Sequence, residues 1–373
     1  MFRRLLKMAE ESAAKKLKMS SPLIGTHNGH FHADEALAVY LLRLLPLYSS
    51  SQLVRTRDPA VLATCHTVVD VGGEYEAGSN RYDHHQRTFS TTFPGHETKL
   101  SSAGLVYMHF GRAIIAQHTS LPLDDPNVTL LYEKLYTDFI EAIDANDNGV
   151  SVYDPAALGA ANLSKRFKDG GITIASVVGD MNHSDPTNPT GQPQDEDTLF
   201  AAASRFIGEV FLRKLHLASS NWLPARTTVG AAYQSRAEVH SSGRIIVLPQ
   251  GGVPWKEHLY NFEMEASPAG SSEIDPLQKV YYVLYPESAA EGAKWRVQCV
   301  SLSEGSFESR KPLPETWRGV RDTDLDALMT TEAEQAGKSK IPEGAVFVHA
   351  SGFIGGHKTK EGALAMAVRS LEL

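Results

Sequence analysis

Cysteine is almost absent from this chain, since Cys65 and Cys299 are the only two among 373 residues. Two thiols are too few for a disulfide framework or a zinc-thiolate site, so we expect a reducing compartment. Any metal must then bind histidine and carboxylate. Long apolar runs are absent too: "ALAVYLLRLLPLY" is interrupted by Arg43 and Pro46 before the roughly 20 residues that a membrane span requires. We therefore expect no membrane partner.

An excess of positive charge is also lacking. Lysine and arginine number 36 against 44 aspartates and glutamates, which gives a formal net charge of -8. A broad surface for duplex nucleic acid depends on basic residues that release counterions, so this balance argues against one. A short strand or a small phosphorylated molecule remains compatible, provided that basic groups are concentrated in one groove.

The hydrophobic content of 42% is enough for a sizeable core, and the length suggests two domains at roughly 150 residues each. Short apolar runs alternate with helical patterns in the first two thirds, which is typical of a parallel sheet covered by helices. Strand-like runs such as "GRIIVLP", "VYYVLYP", "KWRVQCVS" and "GAVFVHA" dominate the last third. The predicted fold class is α/β. An N-terminal parallel-sheet domain spans residues 21–198, and a smaller mixed α/β C-terminal domain with a connecting helix spans 199–373.

Individual elements follow from the same patterns. The runs "PLIGTH", "QLVRT" and "HTVVDVGG" predict strands, and a helix is expected from about Asp34. Pro126 and Gly149 delimit a longer helical segment. Its predicted buried stripe comprises Val128, Leu131, Leu135, Phe139 and Ile143. Residues 179–197 are rich in proline, asparagine, aspartate and glycine, which predicts a long loop or linker.

Residues 1–20 form a basic segment that we interpret as flexible or targeting. Its sequence is compatible with a mitochondrial presequence, although Glu10 and Glu11 are atypical of one. The stretch "KKLK" is at most a weak nuclear signal.

Histidines cluster beside acidic residues at predicted strand ends. Nine of the 15 histidines lie in the first 118 residues. The stretch "HNGHFHADE" lies between a strand and a helix start, at the carboxyl edge of the sheet, where open α/β sheets bind ligands. The residues expected to converge there are His27, His32, Asp34, Asp70, Asp83, His84, His85 and Asp144.

Imidazole and carboxylate without thiolate suit Mn²⁺ or Mg²⁺, and two such ions need about six ligands. A pair of ions stabilises both the attacking and the leaving oxygen in phosphoester hydrolysis. The pattern therefore predicts a two-metal phosphodiesterase, with Mn²⁺ preferred. Each residue alone has a simpler interpretation: Asp34 as a helix cap, Asp70 as a turn residue, Asp144 as a polar helix end. Only their combination favours a metal site.

The motifs "HNGHFHADE", "VVDVGG", "YDHHQRTF" and "EAIDANDNG", in this order, resemble the four motifs of the DHH phosphoesterase superfamily. The chain is more closely similar to the eukaryotic branch named for melanocyte proliferating gene one, a UPF0160-type exonuclease family. The stretches "PWKEHLYNFE" and "ASGFIGGHKTKEGALAMA" extend the likeness to the C-terminal half. The resemblance implies a 3′-5′ exonuclease of single-stranded RNA or short oligonucleotides, in the mitochondrion, the nucleus or both. A cytoplasmic location stays open.

The resemblance also implies a ligand set in which Asp70 bridges two ions. The first motif departs from the common pattern of the superfamily, because four residues separate His27 from His32. The ligands so implied are His27, His32 and Asp70 for one ion, and Asp34, Asp70, His84 and Asp144 for the other.

Two further roles come with the resemblance. His85 would face the substrate phosphate, and Asp83 would orient a neighbouring histidine. Asp147 is a near alternative to Asp144. The predicted catalytic residues are thus Asp70, Asp83, His84 and His85.

The stretch "SGFIGGHKTKEGALA" combines glycines that permit close backbone approach with Thr359, which can cap a helix beginning near Lys360. Helix amides beside a histidine and a lysine form a plausible anion site. A similar segment of the superfamily grips substrate, which the resemblance places across a cleft from the metals. An exposed tryptophan could add a stacking face. The predicted substrate-binding residues are His85, Trp255, Lys256, Gly355, Gly356, His357 and Lys358.

Two other functions stay open on this sequence. The same chemistry could act on a small phosphoester, such as pyrophosphate or a cyclic dinucleotide. Alternatively, the metals could serve structure or sensing in a regulatory module without catalysis. The sequence leaves a homodimer open.

Overall fold

The structure is a computed structural model that describes residues 22–167, 170–183, 188 and 194–373. The predicted targeting segment, residues 1–20, and much of the predicted linker lie outside the described residues. The chain divides into two compact units, the first ending at Ser219 and the second beginning at Ser220. None of the described helices is both long and apolar enough to cross a membrane.

The first unit contains a five-stranded sheet in the order β2-β1-β3-β5-β4. Parallel pairing joins β1 to β2 and β3, and β3 to β5, whereas β4 runs antiparallel to β5 at one edge. The three strands predicted from apolar runs are therefore confirmed, and they form a parallel sheet. The strands are β1 (Ile24–Thr26), β2 (Leu53–Arg55), β3 (Thr67–Val69), β4 (Tyr75–Glu76) and β5 (Arg81–Tyr82).

Helices pack on this sheet and on each other. The first helix is central, because it packs against both α3 and α8 and buries nine of its eleven residues. A Cβ added to Gly208 of α8 would overlap the ring of Tyr40 on α1, so these two helices approach closely. The helices are α1 (Ala33–Arg43), α2 (Pro59–Leu62), α3 (Ser102–Thr119), α4 (Pro126–Leu135), α5 (Glu141–Asp147), α6 (Pro155–Ala160), α7 (Ile174–Asp180) and α8 (Glu196–Leu217).

A π-helical turn, Tyr136–Ile140, connects α4 to α5 without a break in the chain direction. The predicted buried stripe along this segment is confirmed, since all five of its residues are at most 5% exposed. Such turns recur at functional sites because they rotate the following helix relative to the preceding one.

The second unit contains a mixed five-stranded sheet in the order β6-β7-β8-β10-β9. Its core is formed by Trp317, Leu325 and Met366, with strand residues such as Leu284 beneath them. The strands are β6 (Ile245–Val247), β7 (Tyr282–Pro286), β8 (Trp295–Cys299), β9 (Ala345–Val348) and β10 (Ile354–His357). The helices are α9 (Leu223–Gln234), α10 (Arg236–Val239), α11 (Lys256–Glu265), α12 (Asp322–Gln335) and α13 (Lys360–Glu372).

The glycine-rich stretch predicted to permit close backbone approach contains strand β10, which pairs with both β8 and β9. These glycines let two side chains lie close to the strand, since a Cβ on Gly356 would displace the Arg296 guanidinium, and one on Gly355 a methyl group of Leu313. The predicted cap after it is confirmed: the Thr359 hydroxyl accepts a hydrogen bond from the Gly362 amide at 3.1 Å, where α13 begins.

Candidate metal centre

The loop after β1 and the first turn of α1 bring two histidines beside a buried glutamate. His32 caps α1, and its amide donates to the two carboxylate oxygens of Glu35 at 2.8 and 3.0 Å. This capping-box contact fixes the Glu35 carboxylate, which is also 3.0 Å from Nε2 of His27. His27 is buried, whereas the side chain of His32 is exposed. The local helix cap therefore positions an anionic group against the first histidine.

Asp70 lies at the end of β3 and faces histidines on both sides. One of its oxygens is 3.3 Å from Nε2 of His27, and the other is 3.3 Å from Nε2 of His84. Its backbone is in the left-handed region, with φ of 58°, which aspartate and asparagine tolerate better than most residues. A carboxylate between two imidazoles has the geometry of a bridging ligand.

The acidic residues around His84 differ in part from those predicted. Its Nε2 lies 3.0 Å from an oxygen of Asp147. Asp34, which is fully buried, accepts a hydrogen bond from the Ser102 hydroxyl at 2.7 Å, and donor atoms of His32, Asp34 and Asp147 lie within 4.8 Å of one another. The structure therefore brings His27, His32, Asp34, Asp70 and His84 together as expected. Asp147 lies in the same cluster.

Asp144 points away from this group. Its oxygens accept hydrogen bonds from the amide and hydroxyl of Ser101 at 2.9 and 2.7 Å, from the Gly104 amide at 3.0 Å and from the Tyr136 hydroxyl at 3.0 Å. A Cβ on Gly104 would overlap this carboxylate, so only glycine leaves room for it. The ligand role predicted for Asp144 is thus not supported, because its lone pairs are already used to anchor α5 to the start of α3.

His85 and Asp83 occupy positions consistent with their predicted roles. The Asp83 carboxylate is 2.7 Å from Nδ1 of His85 and also accepts the backbone amides of His85 and Gly73. The His85 side chain is 61% exposed, which leaves its Nε2 edge toward solvent. Asp83 therefore holds the ring of His85 in one orientation, as a carboxylate beside a functional imidazole does.

The electrostatic environment favours cations. Burial lowers the pKa of His27, but hydrogen bonds to Asp70 and Glu35 outweigh it and raise the value to about 10. Burial likewise lowers the pKa of His84, and the carboxylates of Asp147 and Asp70 raise it to about 9. Burial and the charges of Asp70, Glu35 and Asp147 together raise the pKa of Asp34 well above its ordinary value. Four carboxylates facing one another without added positive charge would be costly to bury.

Several of these atoms are poorly satisfied within the protein. Among the described residues, Asp34 Oδ1 is buried without a hydrogen-bond partner. Asp70 Oδ1 and His84 Nε2 are buried too, and their closest polar contacts lie within the same cluster, at 3.3 Å from each other and at 3.0 Å between His84 and Asp147. Such atoms are rare in folded proteins, which satisfy nearly all buried polar groups with protein, water or an ion. Divalent cations fit this donor set, since oxygen and imidazole nitrogen without sulfur suit hard or intermediate ions. Nδ1 of His27 lies 3.1 Å from the Asn28 carbonyl and 3.2 Å from a guanidinium nitrogen of Arg57, so Nε2 is the ring nitrogen that faces the carboxylates of Glu35 and Asp70.

The loop that carries His27 and His32 is held by side chains from distant parts of the sequence. Asn182 donates to the Phe31 carbonyl and accepts from the Phe31 amide, both at 2.9 Å. Arg55 donates to the Gly29 carbonyl at 2.6 Å, and Glu196 accepts the Gly29 amide at 3.0 Å. Four backbone groups of this loop are thus bonded to side chains of β2, the end of α7 and the start of α8.

A cavity of about 480 Å³ opens beside His32, His84 and Asp147. Its walls include Lys99, whose ammonium lies 5.4 Å from the centre of the Phe89 ring. A lysine beside this many carboxylates and histidines supplies a positive charge for an anionic substrate. The other lining residues are His32, Ala33, His84, His85, Asn146, Asp147, Asn148, Ala175 and Gly179.

The predicted substrate-binding residues of the second unit are mostly buried. Trp255 is 6% exposed and packs in the core with Leu259 and Val229, which leaves no face for base stacking. Gly355 and Gly356 lie inside the sheet, while Lys358 is exposed and Lys256 is half-buried. The stacking role predicted for Trp255 is therefore not supported; Lys256 and Lys358 remain available.

His357 is fully buried and connects three segments. Its Nε2 lies 3.0 Å from the Pro342 carbonyl, and its Nδ1 accepts the Thr359 amide at 3.0 Å. These two bonds fix the neutral tautomer that carries its proton on Nε2. The ring is enclosed rather than offered to a ligand, which argues against the predicted grip on substrate.

We accordingly expect His357→Ala to destabilise the second unit by roughly 3 kcal/mol, because it leaves a buried amide and carbonyl unpaired and opens a cavity. Substrate affinity measured below the melting temperature should stay within about twofold of wild type. Thermal unfolding and titration with an oligonucleotide separate the two effects. Lys294→Ala is the control, since that side chain of the second unit is exposed and has no predicted role; a large loss of affinity in His357→Ala at unchanged stability would restore the original prediction.

Sequence reasoning missed three contributors to the site, Glu35, Lys99 and Asn182, and named Asp147 only as an alternative to Asp144. Glu35 could have been found from its spacing to His32, since a polar residue followed three positions later by glutamate is a helix-cap pattern. Asp147 is one helical turn from Asp144, and both share a face, so no local signal distinguishes them. Lys99 and Asn182 carry no motif, and only the fold brings them to the site.

Comparisons with known proteins agree with the motifs. A sequence model of the family described as "Uncharacterised protein family (UPF0160)" matches residues 23–371. MYG1 exonuclease of Mus musculus is 46% identical over 382 residues, covering 99% of this chain and 90% of the mouse protein. MYG1 exonuclease of Homo sapiens is 45% identical over 362 residues, covering 95% of this chain and 86% of the human protein.

Among solved structures, RecJ in complex with Mg²⁺ from Thermus thermophilus aligns with a TM-score of 0.24 and 12% identity, over 96% of this chain and 50% of that chain. That likeness is too low to indicate a shared fold. The family match and the two mammalian relatives confirm the closer of the two resemblances, that to the UPF0160-type exonuclease family. The chain belongs to the MYG1 exonuclease family, UPF0160.

Proposed function

We propose that this protein is a two-metal-dependent phosphodiesterase, and that its activity is that of a 3′-5′ exonuclease on single-stranded RNA. The observation that carries the proposal is the position of Asp70, with one oxygen 3.3 Å from His27 and the other 3.3 Å from His84. The names of the mouse and human relatives support an exonuclease. The RNA substrate and the direction rest on the sequence resemblance, as does the proposed location in the mitochondrion or nucleus.

The proposed ligands form two groups that share Asp70. The pair of ions, when bound, would lower the pKa of a water molecule and offset the charge on the phosphate. Mn²⁺ is the proposed metal, with Mg²⁺ as the alternative, because the donors are oxygen and imidazole nitrogen. The first group is His27, His32, Glu35 and Asp70, whose donor atoms lie within 4.8 Å of one another. The second group is proposed to be Asp34, Asp70, His84 and Asp147, because His84 contacts both Asp70 and Asp147, and Asp147 lies near Asp34.

The remaining residues of the cavity have roles that need no metal. His85, held at Nδ1 by Asp83, presents its other nitrogen to a phosphate oxygen or to the leaving group. Lys99 neutralises phosphate charge from the cavity wall. Both groups would lower the barrier by stabilising the charge that develops on the phosphate oxygens.

The decisive experiment incubates purified protein with Mn²⁺ and RNA oligomers labelled at either end. A 3′-5′ exonuclease gives a descending ladder from the 5′-labelled strand and only short products from the 3′-labelled strand. Pyrophosphate and a cyclic dinucleotide are the comparison substrates. Faster turnover of either would favour the small-molecule alternative, and tight metal binding without hydrolysis of any substrate would favour the regulatory module.

Metal binding should depend on pH in a predictable direction. The pKa values of His27 and His84 are about 10 and about 9, so both rings carry protons at neutral pH in the metal-free protein. Both pKa values lie above the ordinary histidine value of 6.5, so protonation of these rings stabilises the metal-free fold. This contribution is fully present below pH 6.5 and is lost as the pH rises through about 9 to 10. A metal requires neutral imidazole, so its binding must release these protons and strengthen as pH rises.

Calorimetry of Mn²⁺ binding in buffers of different ionisation enthalpy measures this release. We expect at least two protons at pH 7.5 in the wild type and about one fewer in His84→Gln. His118→Gln on the exposed face of α3 is the control and should leave the number unchanged. Binding without proton release would contradict the assignment of these histidines as ligands.

A further inference from the structure

A second groove in the first unit adjoins the metal cavity. It has a volume of about 750 Å³ and shares two lining residues, Asn146 and Ala175, with that cavity. One wall is the outer face of α5 and the preceding π-helical turn, including Ala142. The opposite wall is formed by residues 150–152 and 173–175. We refer to this feature as the α5 groove.

Eight of the 16 residues that line the α5 groove are apolar, and two of them are largely exposed. Val150 is 51% exposed and Val152 is 91% exposed, although both lie beside a cavity that a ligand could fill. Phe139 and Ile143 form its floor and are themselves buried. Apolar surface of this kind is stabilised when a flat, weakly polar group covers it.

The charged groups of the groove do not oppose such a ligand, because its carboxylates already have partners. Asp138 pairs with Lys134 at 2.8 Å. Glu141 accepts the Thr98 hydroxyl at 2.8 Å and lies 2.9 Å from a ring nitrogen of His96. The other polar groups of the walls are hydroxyls, amides and the Lys214 ammonium, which can form hydrogen bonds with the polar edge of a heterocycle.

We propose that the α5 groove binds the nucleobase of the terminal nucleotide whose phosphate lies in the metal cavity. The proposal rests on the proposed function for the placement of that phosphate. The two volumes, about 480 and 750 Å³, are each in the range of roughly 300 to 1,000 Å³ typical of small-molecule sites. Contiguity through Asn146, next to the proposed ligand Asp147, gives the base a direct path from the phosphate.

The test compares two ligands that differ only by the base, adenosine 5′-monophosphate and ribose 5-phosphate, by calorimetry in the presence of Mn²⁺. The wild type should bind the nucleotide about tenfold more tightly than the sugar phosphate. Ala142→Trp, which fills the groove from an exposed position on α5, should remove that difference. Ala201→Trp, at an exposed position on α8 outside the groove, is the matched control and should retain it.

Val152→Ser provides a second variant that cannot disturb the core, since that side chain is almost fully exposed, and should reduce the preference about threefold. Equal affinity of the wild type for both ligands, or equal behaviour of the two tryptophan variants, would overturn the proposal. This comparison of binding affinities does not require that the protein hydrolyse RNA. A protein that discriminates the two ligands through Ala142 yet cleaves no RNA would retain the nucleobase site and lose the exonuclease assignment, and active protein without discrimination would do the reverse.

Discussion

Replacing Asp70 with asparagine is expected to lower phosphodiesterase turnover at least about a thousandfold, equivalent to about 4 kcal/mol of transition-state stabilisation. The two oxygens of Asp70 face different histidines, so losing one anionic oxygen disturbs both proposed metal positions. Bound metal, measured on the dialysed protein, should fall from two ions per chain to one or none.

Asparagine is a better choice than alanine at this position for a reason specific to the backbone. Asp70 has a φ of 58°, where alanine is strained by about 1 kcal/mol and asparagine is tolerated. The matched control is Asp322→Asn in the second unit, an exposed aspartate with a φ of 48°. That variant should keep full activity. Full turnover in Asp70→Asn at the same metal content would refute the metal centre.

Substitutions of the two aspartates of α5 should have different effects, one mainly on turnover and the other mainly on stability. Asp147→Ala should reduce turnover at least about a hundredfold, because this carboxylate approaches His84 at 3.0 Å and lines the cavity. Its side chain is 18% exposed and anchors little else, so the melting temperature should change by only about 2 °C.

Asp144→Ala should show the opposite pattern. It strips the acceptor from the buried donors of Ser101, Gly104 and Tyr136, at about 1 to 3 kcal/mol for each unsatisfied group. Loss of roughly 4 kcal/mol in all would lower the melting temperature by about 10 °C. Turnover measured well below that temperature should exceed that of Asp147→Ala. The reverse ranking would return the ligand role to Asp144.

Asp144 and Asp147 also show how much of the site can be predicted from the sequence. The strand-helix pattern and the histidine clusters identified the carboxyl edge of the sheet, because those signals are local and periodic. They could not decide between Asp144 and Asp147, since both positions fall on one helical face and the choice depends on which donors α3 presents. The inward position of Asp144 is set by a glycine forty residues earlier, Gly104, and no local pattern connects the two.

The second unit illustrates a different limit. The strand before the glycines and the Thr359 cap were predictable from local chemistry. The burial of Trp255 and His357 was not, because an aromatic or imidazole ring looks the same in sequence whether it stacks on a ligand or fills a core. Nor could the sequence show that the Arg310 guanidinium pairs with the buried carboxylate of Glu263, at 2.7 and 2.8 Å.

The loop between His27 and His32 is held by hydrogen bonds with the side chains of Arg55, Asn182 and Glu196. These bonds limit how far the chain can be shortened without loss of activity. A truncated chain ending at Asn148 would retain every proposed ligand, yet it would release two of those three tethers. The shortest competent fragment must therefore extend past Glu196, and a library of shortened chains should show activity appearing only beyond that point.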